Sequence, residues 1–132
     1  MKSTLVFAMS CVGVVGYAHA ASEADIRNLH MATEQLNGSL PVVQSDGTRV
    51  EKVKVGPGYV WTFTRTHLQS VYSDELKNRI QRNEIAGVKE QFCGQFASFN
   101  VLKKGLITRF VFVDKNGKLI ASTEIAMESC RQ

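Results

Sequence analysis

The side chains with the widest chemical range in this chain of 132 residues are three cysteines, Cys11, Cys93 and Cys130. A cysteine can be a nucleophile, a metal ligand, a redox-active thiol or half of a disulfide. A nucleophilic thiol needs an activating base, and neither His30 nor His67 stands in the sequence context of a cysteine protease. The sequence also lacks a Cys-x-x-Cys motif and the four regularly spaced ligands of a zinc site. Catalysis and metal binding are therefore the weaker interpretations of these thiols.

The compartment in which the cysteines lie is indicated by residues 1–20. A lysine precedes an apolar stretch from Leu5 to Val15, and Ala18-His19-Ala20 places small residues at positions −3 and −1 of a cleavage site. This pattern predicts a secretory signal peptide cleaved after Ala20. The apolar stretch is shorter than the ~20 residues that a membrane-spanning helix needs. An uncleaved anchor is one alternative; a lipoprotein signal ending at Cys11 is another, although apolar residues follow that cysteine.

Cleavage of the signal would remove Cys11 and leave Cys93 and Cys130 as a pair. Two cysteines in an oxidising compartment predict one disulfide. Cys130 lies close to the C-terminus, where a cross-link limits fraying. Pairing with a second chain, catalysis and metal binding stay open as alternatives. We therefore expect a Cys93–Cys130 disulfide in a protein that is periplasmic or secreted.

Composition favours a single small domain and argues against nucleic acid as a partner. The formal net charge is +4, including Lys2 of the predicted signal, and charges of opposite sign are interspersed along the chain. Lys77, Arg79 and Arg82 form a local basic group that is typical of a solvated helix surface, whereas nucleic-acid binding needs a concentrated basic face. Residues 21–132 contain no second long apolar segment, so we expect one domain without a membrane span.

The elements that would position the cysteines begin with a helix over residues 22–36. Ser22 and Asp25 have the spacing of a capping box, and Asn37-Gly38 is a helix stop signal. One face at helical spacing is predicted to be buried. Its members are Ile26, Leu29, Thr33 and Leu36.

Two strands are expected next, over residues 48–55 and 59–66, with residues 39–47 as a loop that ends in a Ser-Asp-Gly turn. The breaker Gly56-Pro57-Gly58 separates the two strands, which indicates an antiparallel hairpin. The aromatic row of the second strand is predicted to lie in the core. The exposed turn is also a candidate partner-binding loop, formed by Gly56, Pro57, Gly58 and Tyr59.

A second helix is predicted over residues 73–95, divided or kinked near Asn83 or Gly87, with Cys93 in its last turn. Phe99–Leu102 would add a short turn. A final hairpin joins β-rich segments through Asn116-Gly117, a strong hairpin signal. The order α-β-β-α-β-β predicts an α+β fold, with an antiparallel sheet of about four strands, helices packed on one face and one disulfide.

Several motifs follow one another in the C-terminal third of the chain. They are Cys93 late in a helix, Leu102–Gly105 as Leu-x-x-Gly, the aromatic strand Phe110–Phe112, Asp114–Gly117 as Asp-x-x-Gly, and the closing Cys130. This arrangement resembles small exported bacterial proteins that have a disulfide-tied C-terminal β-hairpin. The resemblance implies the hairpin and its disulfide, and it implies no catalytic residue.

Function is indicated mainly by which motifs are missing. The sequence has no nucleophile elbow, phosphate-binding glycine loop or calcium loop. We predict no catalytic residue, no cofactor and no metal site, and interpret the chain as a non-enzymatic exported binding or accessory protein. Its partner would be another envelope protein, such as a component of an envelope or secretion assembly. The first alternative is an inhibitor or immunity-type protein that blocks an envelope enzyme. The second is a small hydrolase using His67 with Asp46, Asp74 or Glu75.

Overall fold

The structure is a computed structural model that describes residues 22–96, 105–126 and Cys130. The predicted signal (1–20) and the short turn expected at Phe99–Leu102 lie outside the described residues. Among those described, no helix combines the length and apolar composition needed to cross a bilayer. In chain order the elements are α1 (Glu23–Asn37), β1 (Val42–Val43), β2 (Thr48–Val50), β3 (Lys54–Gly56), β4 (Val60–His67), α2 (Asp74–Arg79), a π-helical segment (Ile80–Glu84), α3 (Ile85–Phe96), β5 (Ile107–Val113) and β6 (Leu119–Ala126).

Helix α1 begins at the predicted capping box. The Asp25 N–H donates to the Ser22 hydroxyl, and the Ser22 N–H donates to the Asp25 carboxylate. Leu29 and Thr33 are buried on the predicted face. Asn37 ends the helix, and its side-chain amide pairs with the backbone of Val53 through two hydrogen bonds of 2.9 and 2.7 Å. These bonds attach the end of α1 to the chain just before β3.

The α+β class is confirmed, but the sheet is mixed rather than antiparallel and has six strands rather than about four. Its order is β1-β2-β4-β5-β6, with β3 also pairing with β4. Strands β4 and β5 run parallel, from Val60 opposite Ile107 to Thr66 opposite Val113. We expected the two hairpins to pair with each other through antiparallel strands. The connection between them is long enough to hold the helices, and such a crossover returns the chain parallel to the strand it left.

The strands before the first turn are shorter and more numerous than expected. Strand β1 lies within residues 39–47, which were predicted to be loop, and pairs antiparallel with β2. The predicted strand over 48–55 is divided into β2 and β3, and both pair antiparallel with β4. The hairpin around Gly56-Pro57-Gly58 is confirmed by the β3–β4 pairing. A two-residue strand such as β1 is too short to show an alternating pattern.

Strand alternation gives the sheet a helical face and an open face. On the helical face, the indole N–H of Trp61 donates to the Thr33 hydroxyl of α1 at 2.7 Å, and Phe92 of α3 contacts Phe110 of β5 edge to face. This confirms that the helices pack on one face. The open face includes the cross-strand ion pair Arg109–Glu124, at 2.7 Å.

The core has two parts. One part packs α1 and the end of α3 against β3 and β4 around Leu29, Trp61 and Phe92. The other packs α2, the π-helical segment and the start of α3 against β5 and β6 around Leu76, Ile80 and Phe112. The predicted helix over 73–95 is therefore present and interrupted near Asn83, where the helix widens to π geometry. Such widening often occurs at functional sites.

The predicted disulfide joins Cys93 in α3 to Cys130 beyond β6, with their Cα atoms 5.2 Å apart. Both cysteines pack against the first part of the core. The two cysteines are 37 positions apart in the sequence, and the bond closes the chain between them into a loop. It therefore attaches the C-terminal part of the chain to the last turns of α3.

Asp114 fixes the final hairpin to the segment that leads into α2. Its buried carboxylate accepts hydrogen bonds from the backbone N–H groups of Lys118, Tyr72 and Asn116, at 2.8 to 2.9 Å. These bonds, that of Lys118 most strongly, hold the pKa of the Asp114 carboxyl below its ordinary value, although burial acts in the opposite direction. The predicted turn at Asn116-Gly117 is confirmed, and Gly117 adopts a φ of 83°.

We expect the loss of the disulfide to lower the free energy of unfolding by about 3–4 kcal/mol, since the chain-entropy model assigns that value to a loop of this length. Urea denaturation of the oxidised protein with and without reductant measures the change. The variant C93S/C130S serves as control, because reductant should leave its midpoint unchanged. Equal stability of the oxidised and reduced proteins would contradict this expectation.

Substitution Thr33→Val should destabilise the protein by about 1–2 kcal/mol, because at nearly constant volume it removes the buried hydroxyl that accepts a hydrogen bond from Trp61 and donates one to the Leu29 carbonyl. Thr33→Ser keeps the hydroxyl and serves as the matched control. Thermal and urea unfolding, followed by tryptophan fluorescence, measure both variants. Greater loss of stability in the serine variant than in the valine variant would show that the methyl group matters more than the hydrogen bond.

The lowered pKa of Asp114 predicts the direction of a pH effect. Because the carboxyl is more acidic when folded than its ~3.9 in an unfolded chain, its contribution is fully present above pH ~4. That contribution is lost as the pH falls through the lower folded pKa. Asp114→Asn should lower stability at neutral pH and flatten the acid limb of the stability profile. Glu90→Gln, an exposed change on α3, should leave the profile as in the wild type.

Candidate partner-binding groove

A groove lies on the helical face where the sheet extends beyond the helices. It has a volume of about 220 Å³ and is bounded by α3 on one side and by β1 on the other. A smaller extension of about 40 Å³ continues along β4 and β5. The lining residues of the main groove are Leu40, Val42, Gln44, Val50, Phe63, Arg65, Val88, Gln91, Phe92 and Phe110.

The floor of the groove is aromatic. Phe63 of β4 stacks on Phe110 of β5 with ring centroids 5.3 Å apart, and Phe92 of α3 meets Phe110 edge to face at 5.9 Å. The parallel register places Phe63 directly opposite Phe110, so the two rings share the helical face. Of the predicted core row, Trp61 and Tyr59 are buried, whereas Phe63 is only partly covered and faces the groove.

The outer wall of the groove is the short edge strand β1. Val42 lines the groove and is 44% exposed, and its neighbour Val43 is also exposed. Adjacent residues of a strand point to opposite faces, so Val43 lies on the open face of the sheet. Val42 is therefore the exposed apolar side chain that β1 contributes to the groove.

One end of the groove is polar. Arg65 of β4 lies between Val50 and Phe112 in the sheet, and its Nη1 is 3.9 Å from Oε1 of Glu84. The same carboxylate oxygen is 3.3 Å from Nε2 of His67, without the geometry of a hydrogen bond. Glu84 is the last residue of the π-helical segment, so this local widening brings a carboxylate against β4.

In the structure, the carboxylate beside His67 is none of the three that the hydrolase interpretation considered. His67 is 8% exposed and lies beside Glu84, which sequence reasoning did not include. Asp74 accepts a hydrogen bond from the Tyr72 hydroxyl. Asp46 binds the N–H and hydroxyl of Thr48, which lower its pKa. Within residues 22–96, 105–126 and 130, no group of three or more His, Cys, Asp or Glu side chains is arranged to hold a metal ion.

The predicted partner-binding loop is placed away from this groove, at the opposite end of β4 from Arg65. Pro57 and Gly58 are exposed at the turn, and Gly58 has a φ of 79°. Tyr59 is 7% exposed and belongs to the core. A partner at this turn would therefore contact Pro57 and Gly58 rather than the tyrosine ring, and the role of the turn stays a prediction.

Sequence reasoning did not predict the groove, although two signals for it are present. Arg65 continues the alternating row of Tyr59, Trp61 and Phe63, so it places a charge on a face that is otherwise buried. The apolar run Leu40–Val43 lies in a segment that was interpreted as loop. Neither signal indicates a groove until the fold places β1 and α3 on either side of Phe63.

Comparison with known proteins shows similarity at the level of the fold. No protein-family profile matches the chain, and no curated protein sequence matches it. Two solved structures match the chain in fold. One is a protein of Pseudomonas aeruginosa described as secreted, with a TM-score of 0.59 and 18% identity over 84% of this chain and 99% of that one. The other is EpsS, the pilotin of the Vibrio vulnificus type 2 secretion system, with a TM-score of 0.59 and 17% identity over 83% of this chain and 97% of that one.

These values show a shared fold and no more, because both identities are low. Almost the whole of each solved structure is covered, so the likeness concerns the complete domain rather than one hairpin. The fold described here is therefore shared with a protein that is described as secreted and with a pilotin of a secretion system.

Proposed function

We propose that this protein is a non-enzymatic accessory protein of an envelope secretion assembly, and that it binds an apolar segment of another envelope protein in the groove beside α3. The observation that carries the proposal is the aromatic floor of Phe63 and Phe110, which the helices cover only in part. The fold shared with a type 2 secretion pilotin supports the accessory role.

The dimensions of the groove suit one large side chain of a partner. A cavity of roughly 150 Å³ lined by apolar groups is large enough to bind benzene, and the groove provides about 220 Å³. Its floor and walls are apolar, whereas Gln44 and Gln91 stand among its lining residues and can orient a peptide backbone. A partner's phenylalanine, leucine or methionine would therefore serve as the anchor.

Side-chain docking explains this surface better than the addition of a strand. Strand addition needs a row of free backbone N–H and C=O groups along an edge. Strand β1 has only two residues, and the residue before it is Pro41, which has no N–H to donate. The affinity for a partner would then depend on the side chain buried over Phe63.

Export is part of the proposal. The predicted signal peptide over 1–20 would direct the chain out of the cytoplasm, and the Cys93–Cys130 disulfide suits an oxidising compartment. A periplasmic or secreted location follows from both. The alternative role as an inhibitor acting through the Gly56–Tyr59 turn has less support, since the tyrosine of that turn is in the core.

Site-specific photo-crosslinking tests the proposed contact. A photoreactive residue at Gln91, on the wall of the groove, should form a cross-link in the envelope of the native host. The same residue at Ser122, which is exposed on β6, should not. Mass spectrometry of the cross-linked product should identify a component of a secretion assembly. If the cross-linked product is instead a soluble envelope enzyme, and the protein inhibits that enzyme, the inhibitor role is established.

A pair of adjacent substitutions makes the test specific to the groove. Val42→Asp places a carboxylate in the apolar wall, whereas Val43→Asp adds the same charge on the other face of β1. We expect V42D to reduce the Gln91 cross-link at least ten-fold and V43D to leave it unchanged, with similar melting temperatures for both. Equal cross-linking in the two variants would show that the groove is not the contact surface.

A further inference from the structure

Arg65 is held at the edge of the apolar groove with little solvation of its own. It lies on β4, two residues after Phe63 on the same face, and it lines both the main groove and its extension. Its side chain is 23% exposed. Its neighbours across the sheet are apolar, Val50 on one side and Phe112 on the other, and the carboxylate of Glu84 lies 3.9 Å from its Nη1.

The guanidinium has no hydrogen-bond acceptor in the part of the chain that the structure describes. Its nearest carboxylate oxygen, on Glu84, is 3.9 Å away, which is beyond hydrogen-bond distance. That oxygen is closer to His67. The carboxylate of Asp46 is engaged by the Thr48 N–H and hydroxyl at 3.0 and 2.6 Å. The Asp46 carboxylate is therefore engaged elsewhere, whereas Glu84 Oε1, which has no hydrogen-bond partner within the described residues, stands at ion-pair distance from Arg65 but too far for a hydrogen bond.

The arginines of the open face are a useful contrast. Arg49 donates to Glu51 at 2.8 Å, and Arg109 reaches Glu124 at 2.7 Å. Each of these more exposed guanidinium groups has a carboxylate in close contact, although such pairs contribute little in solvent. The more buried Arg65, for which an acceptor is worth more, is the one without a close partner.

We propose, on the basis of the function proposed above, that the segment bound in the groove carries an acidic side chain that pairs with Arg65. A guanidinium presents a planar fork of N–H donors that matches the two oxygens of a carboxylate. The pairing would satisfy donors that are largely removed from water, and it would give the groove selectivity that an apolar floor alone cannot supply.

The spacing of the two recognition points defines the motif. Phe63 and Arg65 lie two residues apart on one strand, a separation of about 7 Å. Side chains three or four residues apart on a helix are separated by roughly 5–6 Å. The bound segment would therefore carry a large apolar residue and an Asp or Glu within one helical turn of it.

A pair of small molecules tests the charge requirement directly. The probes are 4-phenylbutyrate, which carries a ring and a carboxylate at this spacing, and its neutral amide, 4-phenylbutanamide. Amide-resonance shifts measured by NMR should show that the acid binds at the groove about ten-fold more tightly than the amide. The preference should disappear in Arg65→Gln and persist in Arg109→Gln, which removes one positive charge from the open face.

The outcomes separate this inference from the proposed function. No preference for the acid in the wild type, whether both probes bind equally or neither binds, would overturn the role of Arg65, as would a preference retained in R65Q. In the envelope, R65Q should reduce the Gln91 cross-link while the melting temperature stays within a few degrees. If V42D abolishes that cross-link and R65Q leaves it intact, the groove is the contact surface but the bound segment does not depend on an acidic residue paired with Arg65. If neither variant changes it, both proposals fail.

Discussion

The parallel pairing of β4 with β5 is the constraint on which the rest of this structure depends. It extends over seven residue pairs, from Val60–Ile107 to Thr66–Val113. Two parallel neighbours cannot be joined by a tight turn, so the chain between them must cross the sheet. The crossover contains α2, the π-helical segment and α3. Its apolar side covers β5 and β6, and α1 covers the other end of the sheet through Trp61.

The groove is a consequence of this arrangement. Strands β1 and β2 extend the sheet beyond the area that the helices cover, and the rings of Phe63 and Phe110 lie where the cover ends. The same helix that forms the groove wall carries Cys93, next to Phe92 of the aromatic floor. The disulfide therefore holds the last turns of α3 beside the sheet. Stability and the shape of the groove depend on the same helix, although the bond itself lies outside the groove.

Local signals in the sequence were sufficient for the features that depend on neighbouring residues. The capping box of Ser22 and Asp25, the Asn116-Gly117 turn and the Gly56-Pro57-Gly58 hairpin each depend on a few adjacent residues, and all three are present. The cysteine pair could be predicted because only one pairing is open once Cys11 is assigned to the signal. The parallel register of β4 and β5 could not be predicted, because strand pairing across a long crossover leaves no local pattern in the sequence. The contact of His67 with Glu84 likewise depends on how the π-helical segment packs against β4.

The central claim is that a partner binds on the aromatic floor of Phe63 and Phe110, in the groove beside α3. A structure of the protein in complex with the partner segment recovered by cross-linking measures this most directly. The account predicts a large apolar side chain of that segment between Phe63, Phe110 and Val42, with the partner's backbone alongside α3. A partner seated on the open face around Arg109 and Glu124, or along the outer edge of β6, with the groove empty, would contradict it.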